Sequence, residues 1–160
     1  LARLARAARS AGGRVIHCTS AFRPDAAGSL ASAPILASAI RHRERLLLGS
    51  PEADPVLELG PEPEDLVCVR LHGVAPFVGT GLDALLRSLG ARNVVLVGGS
   101  LNVGILGACI EAVDFGYRVV IPKDGVIGAP DDYVEAVFAH TLALLARISS
   151  IDELIRTWLE

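Results

Sequence analysis

The sequence predicts a three-layer α/β/α fold around a mainly parallel, Rossmann-like central sheet. Apolar runs rich in Val recur at 14–20, 66–71, 93–99 and 117–124. They are nearly continuous rather than alternating, which suits strands buried on both faces. Segments with helical spacing of apolar residues separate them, and strand–helix alternation implies parallel crossovers. In such sheets ligands bind beyond the carboxyl ends of the strands. The loops at 20–32, 72–80, 98–104 and 123–130 should therefore share one edge.

The elements follow in order. "LARLARAARSAGG" reads as a helix, with Leu1, Leu4 and Ala8 on one face and Gly12-Gly13 to stop it. "RVIHCTS" (14–20) is a strand, 21–32 a loop, and 33–49 carries a helical stretch. The Pro- and acid-rich segment 50–65 is a surface connection within one domain, because the core pattern resumes at once. "LVCVRL" (66–71) is a strand, "HGVAPFVGT" (72–80) a loop, and "GLDALLRSLG" (81–90) a helix ended by Gly90. A strand at 93–99 leads to a helix at 101–116, then a strand at 117–124 and a long helix at 131–148. The final helix covers 150–160, with Ser150 and Glu153 spaced as a capping box.

Composition bounds the function. The chain of 160 residues is 51% apolar and 21% charged, enough for a substantial core in a single domain spanning 1–160. No apolar run is long enough to span a bilayer, and no signal-peptide pattern opens the chain. A formal charge of −3 with scattered arginines carries no nucleic-acid footprint. The three cysteines, Cys18, Cys68 and Cys109, have no metal-like spacing. They read as reduced thiols, and the expected location is cytoplasmic. Neither a metal nor a cofactor is expected. Methionine is absent and the chain opens inside a helix, so an N-terminal piece is expected to lie outside these residues.

The stretch "VGGSLNVGILG" (97–107) is a strand-to-helix turn, where α/β enzymes often hold a nucleophile. Its only hydroxyl is Ser100, with no base beside it in sequence. Its glycines match neither a phosphate-binding loop nor a dinucleotide fingerprint.

"RVIHCTSAFRPD", "LVCVRLHGVAPFVGTGLDALLRSLGARNVVLVGGSLNVG" and "GACIEAVDFGYRVVIPKDGV", in that order, resemble the isochorismatase-like cysteine hydrolases. That family includes isochorismatases, nicotinamidases and carbamoylsarcosine amidases. The resemblance covers roughly residues 1 to 130 and is most specific in "PFVGTGLDALLRSLGARNVVLVGG" and "EAVDFGYRVVIPKD". It implies a triad: an Asp ending the first strand, a Lys ending the third, and a Cys at the head of the helix after the fourth. The helix N-terminus and the Lys would activate the thiol, and backbone N–H groups would hold the oxyanion. On this alignment Gly104 occupies the Cys position and Leu71 the Lys position, while the Asp falls outside the chain. Leu101 stands where Thr is common. The Asp-x-His metal pattern of nicotinamidases has no counterpart in "SAFRPD".

Other residues are weak substitutes. Cys109 lies roughly 7.5 Å along the helix from Gly104 and about 140° around it. It reads as a core packer, as do Cys18 and Cys68. Arg70 stays charged and cannot exchange a proton; alternation turns it away from Leu71. Lys123, the sole lysine, ends a strand remote from the nucleophile's place. His17 and His72 either line the pocket or are structural; His42 and His140 face solvent. No catalytic residue is assigned. The residues expected to line a binding cradle are His72, Phe77, Ser100, Leu101, Asn102, Val103 and Gly104. The expected ligand is a small carbonyl or carboxylate compound, and a homo-oligomer is expected.

Three functions fit. The preferred one is a pseudoenzyme of this family acting through ligand binding or assembly. The second is a hydrolase of small amide, ester or enol-ether-like substrates by non-cysteine chemistry. The third is a purely structural subunit with a vestigial pocket.

Overall fold

The computed structural model describes residues 1–160. It opens with α1 (Ala2–Ser10), which buries Leu4 and Ala7. Gly12 at φ +78° ends it, in the left-handed region where a Cβ would be strained. β1 (Ile16–Ser20) is followed by α2 (Pro34–Arg41), which begins on a proline whose absent N–H costs nothing there. Short 3₁₀ turns at Arg43–Arg45, Pro51–Ala53 and Leu57–Leu59 lead to β2 (Leu66–Arg70). Then come α3 (Leu82–Ser88), β3 (Asn93–Val95) and β4 (Gly98–Gly99). A π-helical turn, Leu101–Ile105, winds into α4 (Leu106–Asp114). β5 (Arg118–Pro122), β6 (Val126–Ile127) and α5 (Asp131–Val137) follow. A second π turn, Phe138–Leu142, joins α5 to α6 (Ala143–Leu145), and β7 (Ala146–Ser149) and α7 (Ile151–Leu159) complete the chain.

Every strand pairing is parallel, as the continuous apolar runs predict. The fold is α/β with a mainly parallel sheet. The ladder is in three pieces: β1 with β2, the trio β3–β5–β7, and the short pair β4–β6. β1 and β3 are not hydrogen-bonded neighbours, so each keeps one edge without a ladder partner.

The expected helix over 131–148 ends three residues early. Ala146–Ser149 is a strand in register with Val119–Pro122 of β5. The composition of this stretch suits either state, and the open edge of β5 decides it. The helical stretch in 33–49 closes at Arg41, and Leu47 instead bridges to Phe22. The run 93–99 breaks into β3 and β4.

The main core lies between α3, α4, α5 and the β3–β5–β7 trio. Leu101, Cys109, Ile121 and Leu142 are fully enclosed there. Burying each such aliphatic side chain is worth about 1.5–3 kcal/mol. A smaller cluster joins Leu4 of α1 to Ile151 and Leu154 of α7. The capping box is half realised. Ser150 Oγ accepts from Glu153 N at 3.2 Å, while the Glu153 carboxylate accepts from Ser149 Oγ at 2.7 Å and from Arg147.

At the amino end of β1 and β2, Asp65 accepts from Arg9 Nε at 2.8 Å and Nη2 at 2.6 Å, and lies 2.9 Å from His17 Nε2. Its side chain is only 4% exposed. The Arg9 guanidinium, and after it the contacts with His17 and the Glu62 N–H, hold the Asp65 carboxyl far below the usual range despite its burial. No helix is long and apolar enough to cross a membrane.

Candidate functional site

The carboxyl ends of the strands bring the expected loops together. β4 delivers the chain to Ser100, which is extended and makes no side-chain capping bond. The Gly99–Ser100 peptide is cis. The N–H groups of Leu101, Asn102, Val103 and Gly104 precede the bond from Ile105 N to Ser100 O, 2.9 Å. As at any helix start, such leading N–H groups carry the positive end of the helix dipole and suit an anion or carbonyl oxygen.

The side chains of this cradle divide by role. Leu101 is fully buried and belongs to the core. Asn102 faces outward and ties the turn to the 123–130 loop: its Nδ2 donates to Ala129 O at 2.7 Å. Gly128 must be glycine for this approach, since a Cβ there would stand 2.8 Å from Leu101 Cβ and from Val134 Cγ2. At Gly104 a Cβ would meet Gly99 O at 3.4 Å and Val74 O at 3.8 Å, a snug but open position walled by two carbonyl oxygens.

Leu71 and His72 follow directly on β2. They line a separate cleft with Ser20, Phe22, Ser29, Leu30, Leu36, Ile40 and Gly73. Its volume is about 10 Å³. That is room for one water, far below the roughly 300–1,000 Å³ of small-molecule sites. Ser29 Oγ donates to Leu71 O at 2.6 Å, holding the 20–32 loop over the strand end. His72 Nδ1 is buried without a hydrogen-bond partner.

Phe77 turns into the core. It stacks on Phe115 with ring centroids 5.5 Å apart and lies 6.1 Å from Tyr117. Its N–H donates to Glu111 Oε2 at 3.1 Å, which couples the 72–80 loop to α4. Of the seven residues expected to line the cradle, Ser100, Asn102, Val103 and Gly104 share the turn, whereas Leu101 and Phe77 are core and His72 lies at the neighbouring cleft.

No thiol stands at the cradle. Cys109 is completely buried in α4, and burial pushes its thiol up to about 11. Cys18 and Cys68 face each other in register on β1 and β2. Cys18 lies on the edge of β1 that has no ladder partner, exposed as a residue although protein crowds its sulfur. Desolvation, then the neighbouring Cys68, raise it to about 11, partly offset by Arg70. Lys123 is engaged elsewhere, 2.6 Å from Glu135 Oε2 and above the Phe138 ring. His17 sits with Asp65 at the opposite end of the strand from His72, while His42 and His140 are exposed. No group of three or more His, Cys, Asp or Glu side chains could hold a metal ion.

Sequence reasoning missed the cleft walls from the 20–40 segment and the Asp65 network. Leu36 and Ile40, four apart on one helix face, were the available signal for the first. Asp65 was hidden in an acidic run that reads as solvated surface.

A family model described as an isochorismatase domain matches residues 1–153. An uncharacterized isochorismatase family protein of Escherichia coli is 29% identical over 97 residues, spanning 61% of this chain and 51% of that protein. A ureidoacrylate amidohydrolase of Pseudomonas savastanoi is 28% identical over 102 residues, spanning 63% of this chain and 41% of that enzyme. The chain thus spans about half the length of the curated relatives it matches. Among solved structures, an isochorismatase family protein from Burkholderia thailandensis superposes with a TM-score of 0.84 at 26% identity, over 99% of this chain and 80% of that one.

Proposed function

The chain belongs to the isochorismatase domain family, and from that premise we propose that it is a catalytically degenerate member, acting through ligand binding or assembly rather than thiol hydrolysis. The observation that carries this reading is Gly104. It heads the helix where the resemblance calls for the nucleophilic Cys, and no other thiol reaches that place. Leu71, at the position of the activating Lys, offers an apolar side chain that would desolvate a thiolate rather than stabilise it.

The cradle N–H groups support a small carbonyl or carboxylate ligand. The separate cleft at Leu71 and His72, of about 10 Å³, adds no room for such a molecule. That observation favours assembly, with a vestigial pocket, as the second reading. Exposed apolar residues point the same way. α2 buries none of its residues, and Leu30, Ile35 and Leu48 are 61%, 51% and 51% exposed. A homo-oligomer would cover them.

The split sheet supports a strand from outside these residues lying between β1 and β3. Two strand edges without ladder partners flank the core, and buried backbone groups need partners. Non-cysteine hydrolysis would need a carboxylate from such a segment.

The test is direct. The protein is assayed against small amides, esters and ureido compounds, including the substrate class of the ureidoacrylate relative, and its mass is measured by sedimentation. The expected result is no turnover above buffer and a species larger than one chain. Rapid turnover abolished by thiol alkylation would overturn it.

A further inference from the structure

Resting on the assembly reading above, and giving it a surface distinct from α2, we propose that the free edge of β2 pairs antiparallel with β2 of a second copy, about a two-fold axis at Cys68. β2 has a ladder partner on one side only, β1. Leu66 N donates to Val15 O at 3.0 Å and Arg70 O accepts from Ala21 N at 3.0 Å, so residues 66 and 70 present these backbone groups to β1. Successive residues of a strand present theirs to opposite sides, which turns the N–H and C=O of Val67 and Val69 to the open edge. No loop or turn backbone group bonds to them there.

The edge is unguarded. Sheets protect such edges with charge, proline or a bulge. The outer strand of the β3–β5–β7 trio follows that rule: β7 carries the exposed Arg147, ion-paired with Glu153. β2 instead presents Val67 and Val69, 51% and 40% exposed. It contains no proline and pairs residue for residue with β1, without a bulge.

A second copy fits this edge. Val67 and Val69 flank Cys68, so an antiparallel copy sets each Val67 opposite the other chain's Val69. Such a pair exchanges both N–H···O bonds and brings exposed valine side chains to about 5 Å between Cβ atoms. Charge selects the direction. The exposed Glu62 and Glu64 precede the strand and Arg70 ends it. Antiparallel pairing sets the basic end of one copy beside the acidic end of the other, whereas parallel pairing would set like ends together. Arg70 is free for that role: it makes no ion pair within its own chain, and its Nε has only a long 3.4 Å contact to Gly73 O. The paired edge is small beside the roughly 1,200–2,000 Å² of a stable complex, so the association should be reversible and concentration-dependent.

The experiment combines sedimentation over a concentration series with amide hydrogen exchange. Val67→Lys and Val69→Lys should each weaken association about tenfold or more. Leu144→Lys, at an exposed position of α6, should leave it unchanged. The unaltered protein gives an independent readout: its Val67 and Val69 amides should exchange more slowly as concentration rises. Assembly that survives both lysine variants, with those amides exchanging fast, would overturn the edge pairing and leave assembly through another surface. A monomer at every concentration would overturn both. Slow exchange that does not change with concentration would overturn the pairing alone, because a segment of the same chain would then cover the edge.

Discussion

The two halves of the sheet use similar residues and reach different ends. β5, with neighbours on both edges, encloses Val119, Ile121 and Pro122. In β1 and β2 no residue is buried, and Val67 and Val69 are 51% and 40% exposed. The runs "RVVIP" and "LVCVR" are comparable as sequence. Burial therefore comes from neighbours and not from the run itself: one half is packed by α3, α4 and α5, and the other keeps an edge without a ladder partner.

Deleting a core side chain should expose that contrast most strongly. Ile121→Ala should cost about 3 kcal/mol, whereas Val67→Ala should cost under about 1 kcal/mol. Urea denaturation of both variants measures the difference; equal losses would mean that the β1–β2 half is as tightly packed in solution. Next in size is the one buried polar anchor of the weaker half. Asp65→Asn leaves Arg9 and His17 without their anion and should cost about 2–4 kcal/mol. The sign with pH follows from the Asp65 shift. Its folded carboxyl is held below the unfolded value of about 3.9, so its stabilisation is fully present above that value and is lost as pH falls below about 4. Acid titration should show the native protein losing stability there and the Asn variant losing less. A smaller loss than at Ile121 or Asp65 is expected in α7, where Ser150→Ala removes the cap on Glu153 N and should cost about 1 kcal/mol by thermal unfolding.

The sequence revealed most where local pattern and tertiary neighbours agree. The Val-rich runs located β1, β2, β3 and β5, and Gly12 and Gly90 marked helix ends. It misled at 146–149, where "ARIS" satisfies a helical period but an open strand edge claims it. The π turn at Leu101–Ile105 has no signature in composition, since it depends on the close approach of Gly128, which only the folded chain brings beside Leu101. In the site, the absence of a thiol at 104 was legible from one residue. The inward turn of Phe77 was not, because it depends on Phe115 and Tyr117 arriving from α4 and β5.

Acyl trapping tests the proposed loss of thiol chemistry most directly. The unaltered protein, Gly104→Cys, and Gly104→Cys combined with Leu71→Lys are each exposed to an activated ester and quenched in acid for intact-mass and peptide analysis. The position of Gly104 has room for a Cβ, so the fold should tolerate the thiol. The expected result is no acyl adduct on the unaltered chain, slow labelling of the single variant at residue 104, and faster labelling of the double variant as the lysine lowers the thiol pKa. An acyl group trapped on Cys18, Cys68 or Cys109 of the unaltered protein would contradict it.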